Sequence, residues 1–145
     1  MWQGCRIAGG STMTDVVVTV PKRLWEEWLA EGDLPGSTWS GFDSHFLIGS
    51  RPKIMPGERV YIVALDKVRG YAPLVMIEDR CALDTNRMCL LRRGEAVATT
   101  VNCYDVAGCA YGGPEHPAII RGFQGWRYRW WRLYQEIPFP NWRTP

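Results

Sequence analysis

The densest run of ligand-binding side chains in the sequence is Arg121-Gly122-Phe123-Gln124-Gly125-Trp126-Arg127-Tyr128-Arg129-Trp130-Trp131-Arg132. Guanidinium groups neutralise phosphates, and an indole or phenol ring stacks on a base with roughly 1–3 kcal/mol of stabilisation, so interleaved arginines and aromatics point to nucleic acid. Read as a strand, the segment alternates: Trp126, Tyr128 and Trp130 share one face, and Arg127, Arg129 and Trp131 share the other. The alternative is structural, a row of rings facing the core with solvated arginines outside it.

A second constellation, Gly36-Ser37-Thr38-Trp39-Ser40-Gly41-Phe42-Asp43, sets one indole among hydroxyls and glycines. Trp39 can form a stacking wall while Ser37, Thr38, Ser40 and nearby backbone amides read the edge of a planar ligand, such as one extruded base. The structural alternative is that Trp39 plugs the open end of a barrel and the glycines let the loop fold over it.

Catalytic and metal chemistry have thinner support. His45 and His116 are the two histidines, and neither sits in a nucleophile motif. Cys103, Cys109 and His116, joined by Cys81 or Cys89, lack the close pairs typical of zinc sites, so no metal is expected. The glycine-rich stretch from Ala107 to Gly113 has no following Lys-Ser or Lys-Thr, which argues against a phosphate-cradling loop. No cofactor is expected.

Composition bounds the remaining classes. A chain of 145 residues, 46% hydrophobic and 22% charged, suits one globular domain rather than a disordered tail or a membrane protein. The longest apolar runs, such as Tyr61 to Leu65, fall far short of the roughly 20 residues of a membrane span. Five cysteines without a Cys-x-x-Cys pair fit a reducing compartment. The first twelve residues lack the apolar core and cleavage site of a signal peptide, so a cytoplasmic protein without a membrane partner is expected. Met13 opens the regular sequence; residues 1–12 are expected to be a disordered extension and 13–145 a single domain. The net charge of +2 hides an asymmetry, because residues 118–145 hold five arginines against one glutamate. Such a basic, aromatic stretch suits an anionic partner, RNA or DNA above all.

The elements that must position these residues follow from local pattern. Asp15 to Val20 is a β-branched strand ended by Pro21, whose fixed φ opens a helix. Leu24, Trp25, Trp28 and Leu29 share one face of that helix, which ends near Ala30. Residues 32–57 carry five glycines and three prolines and read as one long irregular loop. Val60–Leu65 and Val68–Ile77 read as a hairpin joined at Asp66-Lys67, and Met88–Leu91 and Ala96–Asn102 as a second hairpin. Residues 103–117 form another loop. The expected class is α+β, a small mixed barrel of about six strands with one or two helices.

Three stretches resemble the PUA-like superfamily, especially its ASCH and EVE branches. Ile54-Met55-Pro56-Gly57-Glu58-Arg59-Val60 is similar to the turn that leads into a barrel strand, Val68-Arg69-Gly70-Tyr71 to the glycine-bearing strand after it, and Thr38-Trp39-Ser40-Gly41 to the Thr-x-Trp-x-Gly stretch of EVE domains. The resemblance covers most of residues 14–131. It implies a PUA-like pseudo-barrel that binds RNA or DNA, in some members one modified base in an aromatic pocket. On that reading Trp39 and Tyr71 wall the pocket, Tyr128 adds a ring, and Arg69, Arg121, Arg127 and Arg129 contact the backbone. The ASCH signature Gly-x-Lys-x-x-Glu-x-Arg is absent: after Gly36 its lysine, glutamate and arginine positions hold Thr38, Gly41 and Asp43, so a lysine-based amidohydrolase centre is not expected. Two alternatives stand beside this one. A small hydrolase or nuclease acting on a modified nucleoside or RNA would use Asp43 or Glu78, and a protein-interaction module would use the Arg/Trp/Tyr segment as its contact surface.

Overall fold

The computed structural model describes residues 14–31, 44–80, 87–92, 97–102 and 117–143. The expected extension at 1–12, the Ser37–Ser40 loop and most of the 103–117 loop lie outside them. Four β-branched residues form β1 (Val16–Thr19), and Pro21 then opens α1 (Lys22–Glu31), accepting the Trp25 N–H at 2.9 Å. The other strands are β2 (Ser44–Ile48), β3 (Arg59–Ala64), β4 (Lys67–Glu78), β5 (Met88–Arg92), β6 (Val97–Val101), β7 (Trp126–Tyr128) and β8 (Glu136–Pro138). A single 3-10 turn, Leu133–Gln135, precedes β8. The fold is mostly β, with one α-helix among the described residues packed against a curled half-barrel sheet. No described helix is long and apolar enough to cross a membrane.

The sheet runs β2-β5-β4-β3-β1-β7, with β6 added on β4 and β8 on β6. Only β1 and β3 pair in parallel among these strands; the other pairs are antiparallel. The curl comes from β4, which at twelve residues serves two partners. Gly70 and Tyr71 pair with β6, Leu74 to Glu78 pair with β5, and the register shifts between Leu74 and Met76. An irregularity of this kind bends a strand and increases its twist, so one long strand can close two sheets around a core.

The sheet buries both faces. Val16, Val18, Val60, Ile62 and Leu90 face the helix, where Trp25 and Trp28 cover them. Val17, Tyr61, Val63, Val68 and Val101 face the other way, where Ala118 and Trp131 cover them. Burial on both sides explains why β1 and β3 are continuous apolar runs rather than alternating ones. Truncating either helix indole to alanine would cost about 3–5 kcal/mol, the usual range for a large core ring.

Three expectations need correction. The stretch 32–57 is not irregular throughout, because β2 lies within it, with Phe46 and Ile48 buried and Leu47 exposed. Phe46, Leu47 and Ile48 are all apolar, so the in-and-out pattern left no alternation of residue type in the sequence. Second, β5 and β6 are not a hairpin: β5 pairs with β2 and β4, and β6 with β4 and β8. Local turn chemistry at Arg92-Arg93-Gly94-Glu95 was outweighed by two pairing sites on β4. Third, the β3–β4 turn is Leu65-Asp66, one residue earlier than expected, with φ of 50° and 63°. Two left-handed residues in a two-residue loop match the twist of the flanking strands, a geometry that Asn-Gly normally supplies.

This turn generates a prediction. Asp66 is exposed, and a side chain at positive φ is strained. Asp66→Gly should raise the unfolding free energy by about 0.5 kcal/mol in urea titration, and Asp66→Val should lower it by about 1 kcal/mol.

Candidate functional site

The C-terminal segment crosses the second face of the sheet, tied down at intervals. Ala118 N–H donates to the Val101 carbonyl at 3.0 Å, Ile120 N–H to the Asp66 carbonyl at 2.8 Å, and Phe123 N–H to Thr19 Oγ1 at 3.1 Å. Gly122 sits where an added Cβ would meet Thr19 Cγ2 at 3.0 Å, so a side chain there would press on Thr19 and require it to give way. At Gly125, with φ of 73°, the chain turns back into β7 along β1. Beyond β7 it crosses again through Trp130 and Trp131.

Between the two crossings lies a cavity of about 500 Å³, lined by Val101, Ala118, Ile119, Ile120, Arg121, Arg127, Trp130, Trp131 and Gln135. Its floor is apolar and buried, and two exposed arginines stand at its sides. The Arg127 guanidinium lies over the Phe123 ring, 4.6 Å from its centroid, a cation–π contact. Trp130 is 51% exposed and edge-on to both Trp131 at 5.0 Å and Phe123 at 6.2 Å. A rigid ring beside two cations, over an apolar floor, is suited to a planar ligand that carries negative charge.

Beneath Trp131 is a polar cluster that the sequence did not reveal. Tyr61 OH donates to Glu136 Oε2 at 2.6 Å, Trp131 Nε1–H to the same oxygen at 2.8 Å, and Arg59 Nη1 reaches Glu136 Oε1 at 3.3 Å and Tyr61 OH at 3.0 Å. Burial, helped by its hydrogen bond to Glu136, pushes the Tyr61 phenol well above its ordinary range, so it stays a neutral donor.

The expected site residues separate by environment. Arg121 and Arg127 meet at the cavity. Arg69 does not reach a ligand: it is fully buried, donating to the carbonyls of Ala64 at 2.9 Å and Trp142 at 3.0 Å near the rings of Trp25 and Phe139. Burial lowers its pKa to about 10. Arg129 is buried as well, its side chain 5% exposed and its Nε 3.3 Å from Asp15 Oδ2, with Nη1 donating to the Trp131 carbonyl. Neither guanidinium has the solvent access a backbone phosphate would need. Tyr71 does not line the cavity; its ring packs on Tyr61 at 5.1 Å under the Arg59 guanidinium at 4.2 Å. Tyr128 is an anchor, its hydroxyl accepting the Lys53 N–H at 2.8 Å, and Trp126 beside it donates to the Ser50 carbonyl at 2.8 Å.

The expected alternation holds through Arg127 and Tyr128 and fails at Trp130. Arg129 N–H donates to the Asp15 carbonyl at 2.8 Å, and the strand then gives way to a bend at Trp131. The bend moves Trp130 to the arginine side. Gln135, Ile119 and Val101 were not expected at the site, because nothing in a sequence indicates which strand end faces a crossing segment.

Ser37, Thr38, Trp39 and Ser40, together with Cys81, Cys103, Cys109 and His116, lie outside the described residues. Cys89 is buried in β5, its thiol 3.5 Å from Glu78 Oε1. Among the described residues no three His, Cys, Asp or Glu side chains come together in a metal-binding arrangement. Comparison with protein-family models, with curated proteins and with solved structures gives no match.

The contrast between Arg127 and Arg129 can be measured. Arg129→Met leaves the Asp15 carboxylate buried without its counter-charge and should cost about 3 kcal/mol, whereas exposed Arg127→Ala should stay within about 0.5 kcal/mol in urea unfolding. Burial already raises the Asp15 carboxyl above its ordinary value of 3.8, against the pull of the Arg59 amide and the Arg129 guanidinium. The folded protein therefore holds this proton at pH values where the unfolded chain has released it. The loss in Arg129→Met should accordingly be greatest near neutral pH and shrink as the pH falls toward 4.

Proposed function

We propose that this protein is a nucleic-acid-binding module of PUA-like type that holds one unpaired base of RNA or DNA. The observation that carries the reading is the joining of Arg121, Arg127 and exposed Trp130 around a single cavity of about 500 Å³. Trp130 supplies the stacking face, and the two guanidinium groups meet the adjoining phosphates. A concave site of this kind suits an unstacked or extruded base better than a closed duplex.

Among the described residues the cavity lining has no carboxylate, histidine, cysteine, serine or lysine. Among the described residues no general base or nucleophile lines it; Glu78 lies at the end of β4 beside Cys89, and Asp43 lies outside the described residues. Binding without turnover is the reading this lining favours. A second reading, protein recognition, draws on the exposed Ile119 and Trp130 at the cavity and Leu133 and Tyr134 on the adjoining turn.

Titration of tryptophan fluorescence with short single- and double-stranded RNA and DNA at several salt concentrations tests the proposal. Single strands should quench more strongly than duplexes, and Trp130→Ala should weaken binding by about tenfold. Arg121→Ala and Arg127→Ala should each reduce the slope of log affinity against log salt by about 0.7. No response to any oligonucleotide, with stoichiometric binding of a protein lost in Trp130→Ala, would replace this reading with the second.

A further inference from the structure

We infer that Glu136 is the positioning residue of the cavity, fixing the Trp131 ring and, through it, the stacking face of Trp130. The inference rests on the binding reading above and names a residue that never touches the ligand.

An indole has one donor, its Nε1–H, so a hydrogen bond there selects one rotation of the ring. That donor is given to Glu136 Oε2 at 2.8 Å. Trp131 is 5% exposed and wedged edge-on between Tyr61 at 5.1 Å and Trp130 at 5.0 Å. Trp130 has no hydrogen-bonded anchor of this kind among its described contacts, so its orientation follows from the rings it leans on. A rotation of Trp131 would tilt the exposed ring and reshape the cavity they share.

The surroundings of Glu136 suit this task. Its side chain is 10% exposed, and a carboxylate so placed needs partners at both oxygens. Tyr61 OH at 2.6 Å reinforces the oxygen that holds the indole, and Arg59 at 3.3 Å serves the other. Arg59 also has an electrostatic effect. A bare carboxylate beneath an anion-binding cavity would repel the ligand, and the adjoining guanidinium offsets that charge.

The test reads the indole and the ligand separately. In ¹⁵N–¹H spectra the Trp131 Nε1–H signal should exchange slowly with solvent in the unaltered protein. It should shift and exchange rapidly in Glu136→Ala, and regain protection in Glu136→Gln, whose amide oxygen still accepts. A signal that stays protected in Glu136→Ala overturns the inference.

With a fluorescein-labelled single-stranded RNA as probe, Glu136→Ala and Trp131→Phe should each weaken binding by about tenfold. The double variant should be no weaker than either alone, the salt slope should not change, and Glu136→Gln should bind within about twofold of the unaltered protein. Losses that multiply to about a hundredfold would show that Glu136 acts independently of Trp131 and would sink the inference. If the unaltered protein binds no oligonucleotide, the nucleic-acid reading fails and the indole exchange alone decides the role of Glu136.

Discussion

Asp15 and Arg129 sit where three chain segments meet, and the path of the C-terminal segment depends on their contact. One carboxylate oxygen takes the Arg59 N–H at the head of β3, at 2.9 Å, and the other takes Arg129 Nε at 3.3 Å. The backbone repeats the link, Arg129 N–H donating to the Asp15 carbonyl. Arg129 Nη1 then holds the Trp131 carbonyl. A buried carboxylate and guanidinium lose hydration that only well-placed partners restore, so the pair tolerates few alternative geometries. Such a pair specifies a path more than it stabilises one. Here the path takes the chain out of β7 and across the second sheet face, which places Trp130 and Trp131 beside Arg127.

The same rule sorts the other cations. Arg69 gives its donors to two carbonyls and ties the end of the chain, through Trp142, to β4 and the helix. Arg59 is taken up by Glu136 and the Tyr71 ring. Arg121 and Arg127 remain on the outside, where a guanidinium keeps its hydration. Identical side chains in one basic region thus have opposite uses, and burial rather than spacing divides them.

That division marks the limit of what could be read from sequence. β1, α1 and the paired β3 and β4 were legible because each is encoded locally, by a β-branched run, a 3.6-residue apolar stripe and a short polar turn. The partners of β5 and β6 were not, because they are set by the length and bend of β4, and pairing across such distances leaves no local mark. The candidate site was half legible. The segment 121–132 advertises its chemistry, and Arg121 and Arg127 come together at one cavity. Arg69 and Arg129 carry the same letter, and their burial depends on segments far away, Trp142 for one and Asp15 for the other. Glu136, the only acid in a basic stretch, was visible but without meaning until its hydrogen bonds placed it under Trp131.

The chain holds eight tryptophans, and the architecture accounts for the six that lie in the described residues. A sheet buried on both faces has two cores to fill, and among the described residues the second is covered by the crossing segment. Large rings fill these layers efficiently: Trp25 and Trp28 serve the helical side with Trp126 and Trp142 packed at its margins, and Trp131 serves the other. Trp130 is the indole among the described residues that packing does not consume, half exposed at the mouth of the cavity its neighbours create. It leans edge-on against two other rings, Trp131 and Phe123, which limits the orientations open to it. Among the described residues it is the crossing segment, and not α1, that packs on this face, and Trp130 stands half exposed beside the cavity while Trp25, on α1, is buried against the other face.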